Sequence, residues 1–251
     1  MSDNSKEQSI KEQNIVKYVK ENLTFEACYG LTKEDFNSLR NSFNDIQPNK
    51  NKNDFPDFIY DGGFVEHFSI SSSSETRKGA SHKIAESRHT SLISKMAAEL
   101  TPENPIFSTF LEYKEHSHKY LLSSFKRNWN NHINSLQKYN GEKTKGIFLV
   151  EYTETAALSM AENTSIDSNK VSEILDDYHL SRDKILLEWL SKFKNDIDYI
   201  VFVGSPFIEV IKLKNISDIL KQFPYEYIVA ANFTLRTDRG FFLGSSKEKL
   251  F

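Results

Sequence analysis

Residues 56–74 read PDFIYDGGFVEHFSISSSS, and the fold turns on how this stretch pairs with itself. Two aromatic and β-branched runs, Phe58-Ile59-Tyr60 and Phe64-Val65, flank Asp61-Gly62-Gly63. Asp-Gly or Gly-Gly between such runs signals a tight β-hairpin, because the turn residues need positive φ. With Asp61-Gly62 as the loop, Tyr60 faces Gly63, Ile59 faces Phe64, Phe58 faces Val65 and Asp57 faces Glu66. With Gly62-Gly63 as the loop, Asp57 lies diagonal to Glu66 on the same face. In either register two carboxylates come within roughly 5–8 Å of one another. They repel unless something positive sits between them.

The neighbours of Glu66 sharpen the point. The even positions Phe64, Glu66, Phe68 and Ile70 form an apolar row holding one carboxylate, and a carboxylate among buried apolar groups is costly unless paired or bound to a metal. Three readings stand: the face is exposed, Glu66 pairs with an Arg or Lys, or Asp57 and Glu66 together hold a divalent cation. Mg²⁺ takes one or two carboxylates plus water and phosphate oxygens, which suits an acid pair on adjacent strands. His67 adjoins Glu66, but strand alternation turns it to the reverse face, where it is packed or hydrogen-bonded.

Pro56-Asp57, a hairpin turn and then Glu66 on an apolar strand resemble the core of the PD-(D/E)XK nuclease superfamily, the restriction-endonuclease-like fold. The resemblance covers this stretch alone. It implies a metal-dependent endonuclease hydrolysing phosphodiester bonds of DNA, as in restriction or defence. Asp57 and Glu66 would be ligands to Mg²⁺ (or Mn²⁺), and a Lys two residues after the Glu would help activate the attacking water. This sequence departs from the pattern there, with Phe68 in the Lys position. Either the Lys has moved, Lys78 being the nearest candidate, or the site is inactive. The resemblance also implies a helix ahead of the hairpin that supplies a further acid, for which Glu26 and Glu34 are candidates, and a homodimer where both strands are cut.

After the second strand come Ser71–Ser74 and then ETRKGASHK at residues 75–83. Hydroxyls, a Gly and clustered cations suit a phosphate, which Ser and backbone donors position and Arg or Lys neutralise. Ser72, Ser74, Arg77, Lys78 and Lys83 are the candidates for nucleic-acid contact. A solvated Ser/Lys-rich loop has the same composition.

With 38% hydrophobic and 13% aromatic residues the chain can bury a core, and its 251 residues suffice for one large domain or two small ones. A single cysteine, Cys28, excludes an internal disulfide and a four-Cys zinc site. It fits a reducing cytoplasm and reads as a small buried hydrophobe. The polar start MSDNSKEQSIKEQN has no signal-peptide character, and no apolar run is long enough to span a membrane. The net charge of −3 neither advertises nor excludes nucleic acid. There is no phosphate-binding GxxxxGK[ST], GxGxxG or GxSxG motif.

Along the rest of the chain, residues 1–14 read as a frayed polar segment. Ile15, Val16, Val19 and Leu23 have helical spacing, and Thr32 caps a helix carrying Phe36, Leu39 and Phe43. Residues 84–100 read as a helix, and a second helical region runs over 105–139 with a break near His116. Leu122, Phe125, Trp129, Ile133 and Leu136 form its apolar stripe. Lys119, Ser123, Lys126, Arg127, Asn130, Asn131 and Asn134 lie off the stripe, as a DNA-facing surface or as the outside of an amphipathic helix. Glu112 and His116 would share a helix face but lack a third ligand. Strands are expected at 146–152, 197–203, 207–213 and 227–234, a loop at 153–170, and helices at 171–178, 182–195 and from Ser217. Glu151 and Glu154 border the end of the first of these strands. The expected fold is one α/β domain over 1–251, a mixed sheet with helices on its faces. The alternative to a nuclease is a catalytically inactive module that binds nucleic acid or a protein.

Overall fold

The computed structural model describes residues 3–49, 55–73, 80–112, 116–154, 157–163, 173–204, 207–223, 226–231 and 235–241. In chain order the helices are α1 (Asp3–Asn22), α2 (Lys33–Asp45), α3 (Ala80–Ala98), α4 (His118–Lys138), α5 (Lys184–Leu190) and α6 (Ile216–Gln222). The strands are β1 (Cys28–Tyr29), β2 (Gln47–Pro48), β3 (Phe58–Tyr60), β4 (Gly63–Ile70), β5 (Ile106–Glu112) and β6 (Lys145–Tyr152). They continue with β7 (Leu158–Glu162), β8 (Ile174–Leu175), β9 (Tyr199–Gly204), β10 (Ile208–Lys212), β11 (Tyr227–Ala231) and β12 (Leu235–Phe241). Two compact units result: residues 1–72 with 117–231, and residues 73–116 with 232–251.

The first unit is α/β, built on a seven-stranded mixed sheet in the order β1-β10-β9-β6-β4-β3-β2. Its centre is parallel, β4 with β6 and β6 with β9, while β2, β3 and β4 form an antiparallel meander at one side. Because helices cover both faces, β6 and β9 are nearly continuous apolar runs instead of alternating ones. Phe64, Phe68, Ile70, Phe148, Val150 and Phe202 turn to the face covered by α4, α5 and α6. Val65, Ile147, Leu149, Val201 and Val203 turn to the opposite face, with Ile15, Val16 and Val19 of α1 and Leu39 and Phe43 of α2.

Helix α4 buries Leu121, Phe125, Trp129, Ile133 and Leu136, so the stripe runs as its spacing predicts except that Leu121 replaces Leu122 at the first turn. Thr32 caps α2 as expected. Its hydroxyl accepts the Asp35 N–H and the Asp35 carboxylate accepts the Thr32 N–H, a reciprocal capping box. A second, three-stranded sheet in the order β11-β7-β8 belongs to the same unit.

The other unit contains α3 packed on an antiparallel pair, β5 with β12. Only His89, Ile93, Met96 and Leu100 of the residues from 87 to 100 are shielded, and they fall on one helical stripe.

Several sequence expectations are corrected. Residues 106–112 are strand, not helix, because IFSTFLE is rich in β-formers and finds a partner in β12. Glu112 and His116 therefore share no helix face. Within 171–178 the described residues hold β8 and bends, and the expected loop at 153–170 contains β7. The polar N-terminus is helical from Asp3 onward. Helix α6 begins after Asn215, not at Ser217, and the Asn215 amide donates to the Gly30 carbonyl at 2.6 Å. Cys28 is half-buried, with its thiol donating to the Thr24 carbonyl at 3.3 Å. Among the described residues no helix is long and apolar enough to cross a membrane.

Candidate functional site

The hairpin adopts the Asp61-Gly62 loop, with Tyr60 opposite Gly63, Ile59 opposite Phe64 and Phe58 opposite Val65. Gly62 takes φ +80° in the turn, a conformation natural to glycine. Gly63 is needed for a different reason. A Cβ there would lie 2.2 Å from the Lys145 carbonyl oxygen and 2.5 Å from the Tyr60 hydroxyl, so only glycine lets β4 approach β6.

This register brings the two acids together. The backbone N–H of Asp57 donates to Glu66 Oε2 at 2.9 Å, and Asp57 Oδ2 accepts the His67 N–H at 2.8 Å. Burial, and then the Glu66 charge, push the Asp57 carboxyl up to about 8, against the pull of the His67 N–H, while Glu12 on α1 adds to the rise. Near neutral pH Asp57 therefore keeps a proton, and the pair carries less than its full negative charge.

Glu66 is 6% exposed, and its partner is a histidine rather than the Arg or Lys considered from sequence. His132 Nδ1 lies 2.6 Å from Glu66 Oε1, and the imidazole stacks on Phe68 with centroids 4.7 Å apart and planes 12° from parallel. His132 belongs to a polar row on α4, Ser124, Asn128 and His132, spaced by four so that it lies along one line. Strand β3 pairs with β4 only as far as Val65, which leaves the outer edge of β4 without a strand beyond that point. The α4 row covers it: Ser124 Oγ accepts the Ser71 N–H and the Asn128 amide donates to the Ser69 carbonyl. Sequence reasoning passed over Asn128 and His132. The available signal was their four-residue spacing beside the apolar stripe.

On the reverse face His67 Nε2 sits 3.3 Å from Glu151 Oε2, near enough to pair as charges but out of line for a hydrogen bond. Glu151 also takes Lys11 Nζ at 2.8 Å and the Ser69 hydroxyl at 2.7 Å. Burial raises its carboxyl, but these three contacts outweigh it and bring it down to about 2. His67 thus reaches Asp57 through its backbone and Glu151 through its ring.

The remaining predicted residues do not gather at this site. Ser72 is fully buried, its hydroxyl held by Tyr152 at 2.8 Å and its backbone N–H by Glu154 at 2.9 Å, so it presents nothing to a phosphate in solution. Lys126 lies 5.5 Å over the Trp189 ring, a cation–π contact, and Arg127 is exposed. Ser74, Arg77 and Lys78 lie outside the described residues, as does the side chain of Lys83. Glu26 and Glu34 make no contact with the acid pair; the acid from a preceding helix that acts on Asp57 is Glu12. Phe68 is buried in the core against Phe125, Trp129 and Phe148.

Among the described residues no three His, Cys, Asp or Glu side chains converge as a ligand set. That donor count would be short for zinc, but a hard cation such as Mg²⁺ needs only one or two carboxylates and keeps several waters. Asp57 and Glu66 offer the right chemistry, oxygen donors with lone pairs to spare. No family model, curated protein or solved structure matches the chain.

Proposed function

We propose that this protein is a metal-dependent endonuclease acting on DNA phosphodiester bonds at Asp57 and Glu66, with Mg²⁺ or Mn²⁺ as the cation. One observation carries the reading. Two carboxyl groups, Glu66 on β4 and Asp57 just ahead of β3, lie side by side, and burial first, then the Glu66 charge, pushes the Asp57 carboxyl up to about 8. Such an arrangement is unfavourable in itself; a proton offsets it near neutral pH, and a divalent cation would take the proton's place. The mixed sheet with helices on both faces is compatible with the restriction-endonuclease-like core that the hairpin resembles.

Within this reading each side chain has a task. Asp57 releases its proton and offers Oδ1 and Oδ2, while Glu66 is held in one rotamer by the Asp57 N–H on Oε2 and the His132 ring on Oε1. The apolar row of Phe64, Phe68 and Ile70 keeps that carboxylate on a rigid, water-poor strand. When bound, the cation supplies a water of lowered pKa and offsets charge developing on the scissile phosphate.

A non-catalytic DNA-binding module is the second reading. It is favoured by Phe68 in the Lys position and by the fact that, among the described residues, neither carboxylate is ion-paired to a Lys or Arg. Incubating plasmid and single-stranded DNA with Mg²⁺ or Mn²⁺, against EDTA and an Asp57→Ala/Glu66→Ala double mutant, separates the two. Cleavage that needs metal and disappears in the mutant is the expected result. Intact DNA under every condition moves the assignment to the binding module.

A further inference from the structure

Helix α4 is 21 residues long and holds no acidic residue. It carries Lys119, Lys126, Arg127 and Lys138 in a chain whose acids outnumber its Lys and Arg by 35 to 32. Lys119, Arg127 and Lys138 are exposed, while Lys126 is turned onto the Trp189 ring and is left out of the face. Among the described residues none of the four pairs with an acid. Between the cations stand Asn130, Asn131, Asn134 and Gln137, all exposed.

A helix face that merely meets water looks different in this chain. Helix α1 has Lys17 with Glu21, α3 has Lys95 with Glu99 and α6 has Lys221 with Asp218, charges paired about one turn apart. Helix α2 places Glu34 and Asp35 in its first turn, where the helix dipole favours acids, whereas α4 places Lys119 there. Asn is a poor helix former, and Ala, Glu or Lys in place of Asn130, Asn131 and Asn134 would strengthen the helix without touching the core. Each departure costs helix stability, and together they leave a face of cations and amide donors.

We propose that this face holds the sugar–phosphate backbone of duplex DNA, with Lys119, Arg127 and Lys138 neutralising phosphates and the amides donating to their oxygens. Lys, Arg and Asn are among the side chains that make backbone contacts, and such contacts carry no sequence information. From Lys119 to Lys138 the helix rises about 28 Å. Over that length a duplex presents a phosphate about every 1.7 Å of its axis, so three cations find partners without a fixed register. The same helix reaches Glu66 through His132 at 2.6 Å, so the face and the acid pair share one rigid element. The choice of DNA among polyanions rests on the nuclease reading; the anionic partner itself follows from charge.

The test follows binding of a short fluorescent DNA duplex by anisotropy between about 50 and 200 mM salt, with polyglutamate as the comparison polyanion. EDTA keeps cleavage out of the measurement. Arg127→Gln/Lys138→Gln should weaken binding at least about tenfold at the lower salt and reduce the slope of log K against log salt by about two. Lys17→Gln/Lys221→Gln, the same change of charge at exposed positions off the face, should leave both unchanged. Asn130→Ala/Asn134→Ala should weaken binding several-fold while its melting temperature holds or rises, which a merely solvated face would not do. Equal weakening by the two charge pairs, affinity and slope unmoved by Arg127→Gln/Lys138→Gln, or polyglutamate bound as tightly as DNA overturns the face. DNA held in the expected way by a chain that cuts nothing in Mg²⁺ or Mn²⁺ keeps the face and removes the nuclease reading. Metal-dependent cleavage by a chain whose Arg127→Gln/Lys138→Gln variant binds like wild type keeps that reading and removes the face.

Discussion

Asp57 donates its backbone N–H to Glu66 Oε2 at 2.9 Å while its own carboxyl Oδ2 accepts the N–H of His67, the next residue on β4, at 2.8 Å. The two acids are thus tied by the hairpin's main chain and cannot relieve their repulsion by moving apart. Proton uptake or a cation is the relief available to them.

This tie has a pH signature. With its carboxyl pushed up from 3.8 to about 8, chiefly by burial and then by Glu66, native Asp57 holds a proton that the unfolded chain has lost. Stability therefore falls as pH rises through that window, by at most roughly 1.4 kcal/mol per pH unit, and the contribution levels off above it. Asp57→Asn removes this slope. Urea denaturation at about pH 5, 7 and 9 measures it, and a slope that persists in the mutant assigns the titration to another group.

Removing His132 leaves Glu66 Oε1 without the imidazole and Oε2 with the Asp57 N–H. His132→Ala should cost about 1–3 kcal/mol as a buried acceptor loses its donor. Combined with Glu66→Gln, the total should fall short of the sum of the two single effects, since both break one interaction. Strict additivity in that double-mutant cycle would falsify the pairing.

The two hairpin glycines should respond differently to the same change. Gly62→Ala meets no atom within 4 Å and bears only the cost of φ +80°, about 1–2 kcal/mol. Gly63→Ala drives a methyl into the Lys145 carbonyl and should cost about 3 kcal/mol or more, because β4 must leave β6 to admit it. Comparable melting temperatures for the two variants would mean that β4 and β6 are not paired in this register.

Restoring the family's lysine should not restore its chemistry. Phe68 is 6% exposed and contacts Phe125, Trp129, Phe148 and the His132 ring. Phe68→Lys forfeits that packing and buries an ammonium group, at a cost of at least about 3 kcal/mol. Circular dichroism melts and a metal-dependent cleavage assay check this together; a stable variant with raised cleavage would show that the position faces the substrate.

The hairpin was legible in residues 56–70 because everything that sets it is local: Gly62 at the turn, β-formers on both sides and a two-residue period that fixes which side chains share a face. The same holds for the Thr32–Asp35 capping box and the α4 stripe, whose partners lie within a few positions. The acid pair belongs with them, since Asp57 and Glu66 are joined by one tight turn.

What tertiary structure alone decided involves partners far apart in the chain. His132 stands 66 residues from Glu66 and reaches it only because α4 crosses back over β4. Residues 106–112 have an apolar pattern that serves a helix as well as a strand, and pairing with residues 235–241 settles it. Glu12 acts on Asp57, and Lys11 on Glu151, only once α1 lies over the sheet. Local geometry put two carboxyl groups side by side across one hairpin; packing chose the histidine and the α1 acid that act on them, because contacts between distant segments carry no periodicity along the sequence.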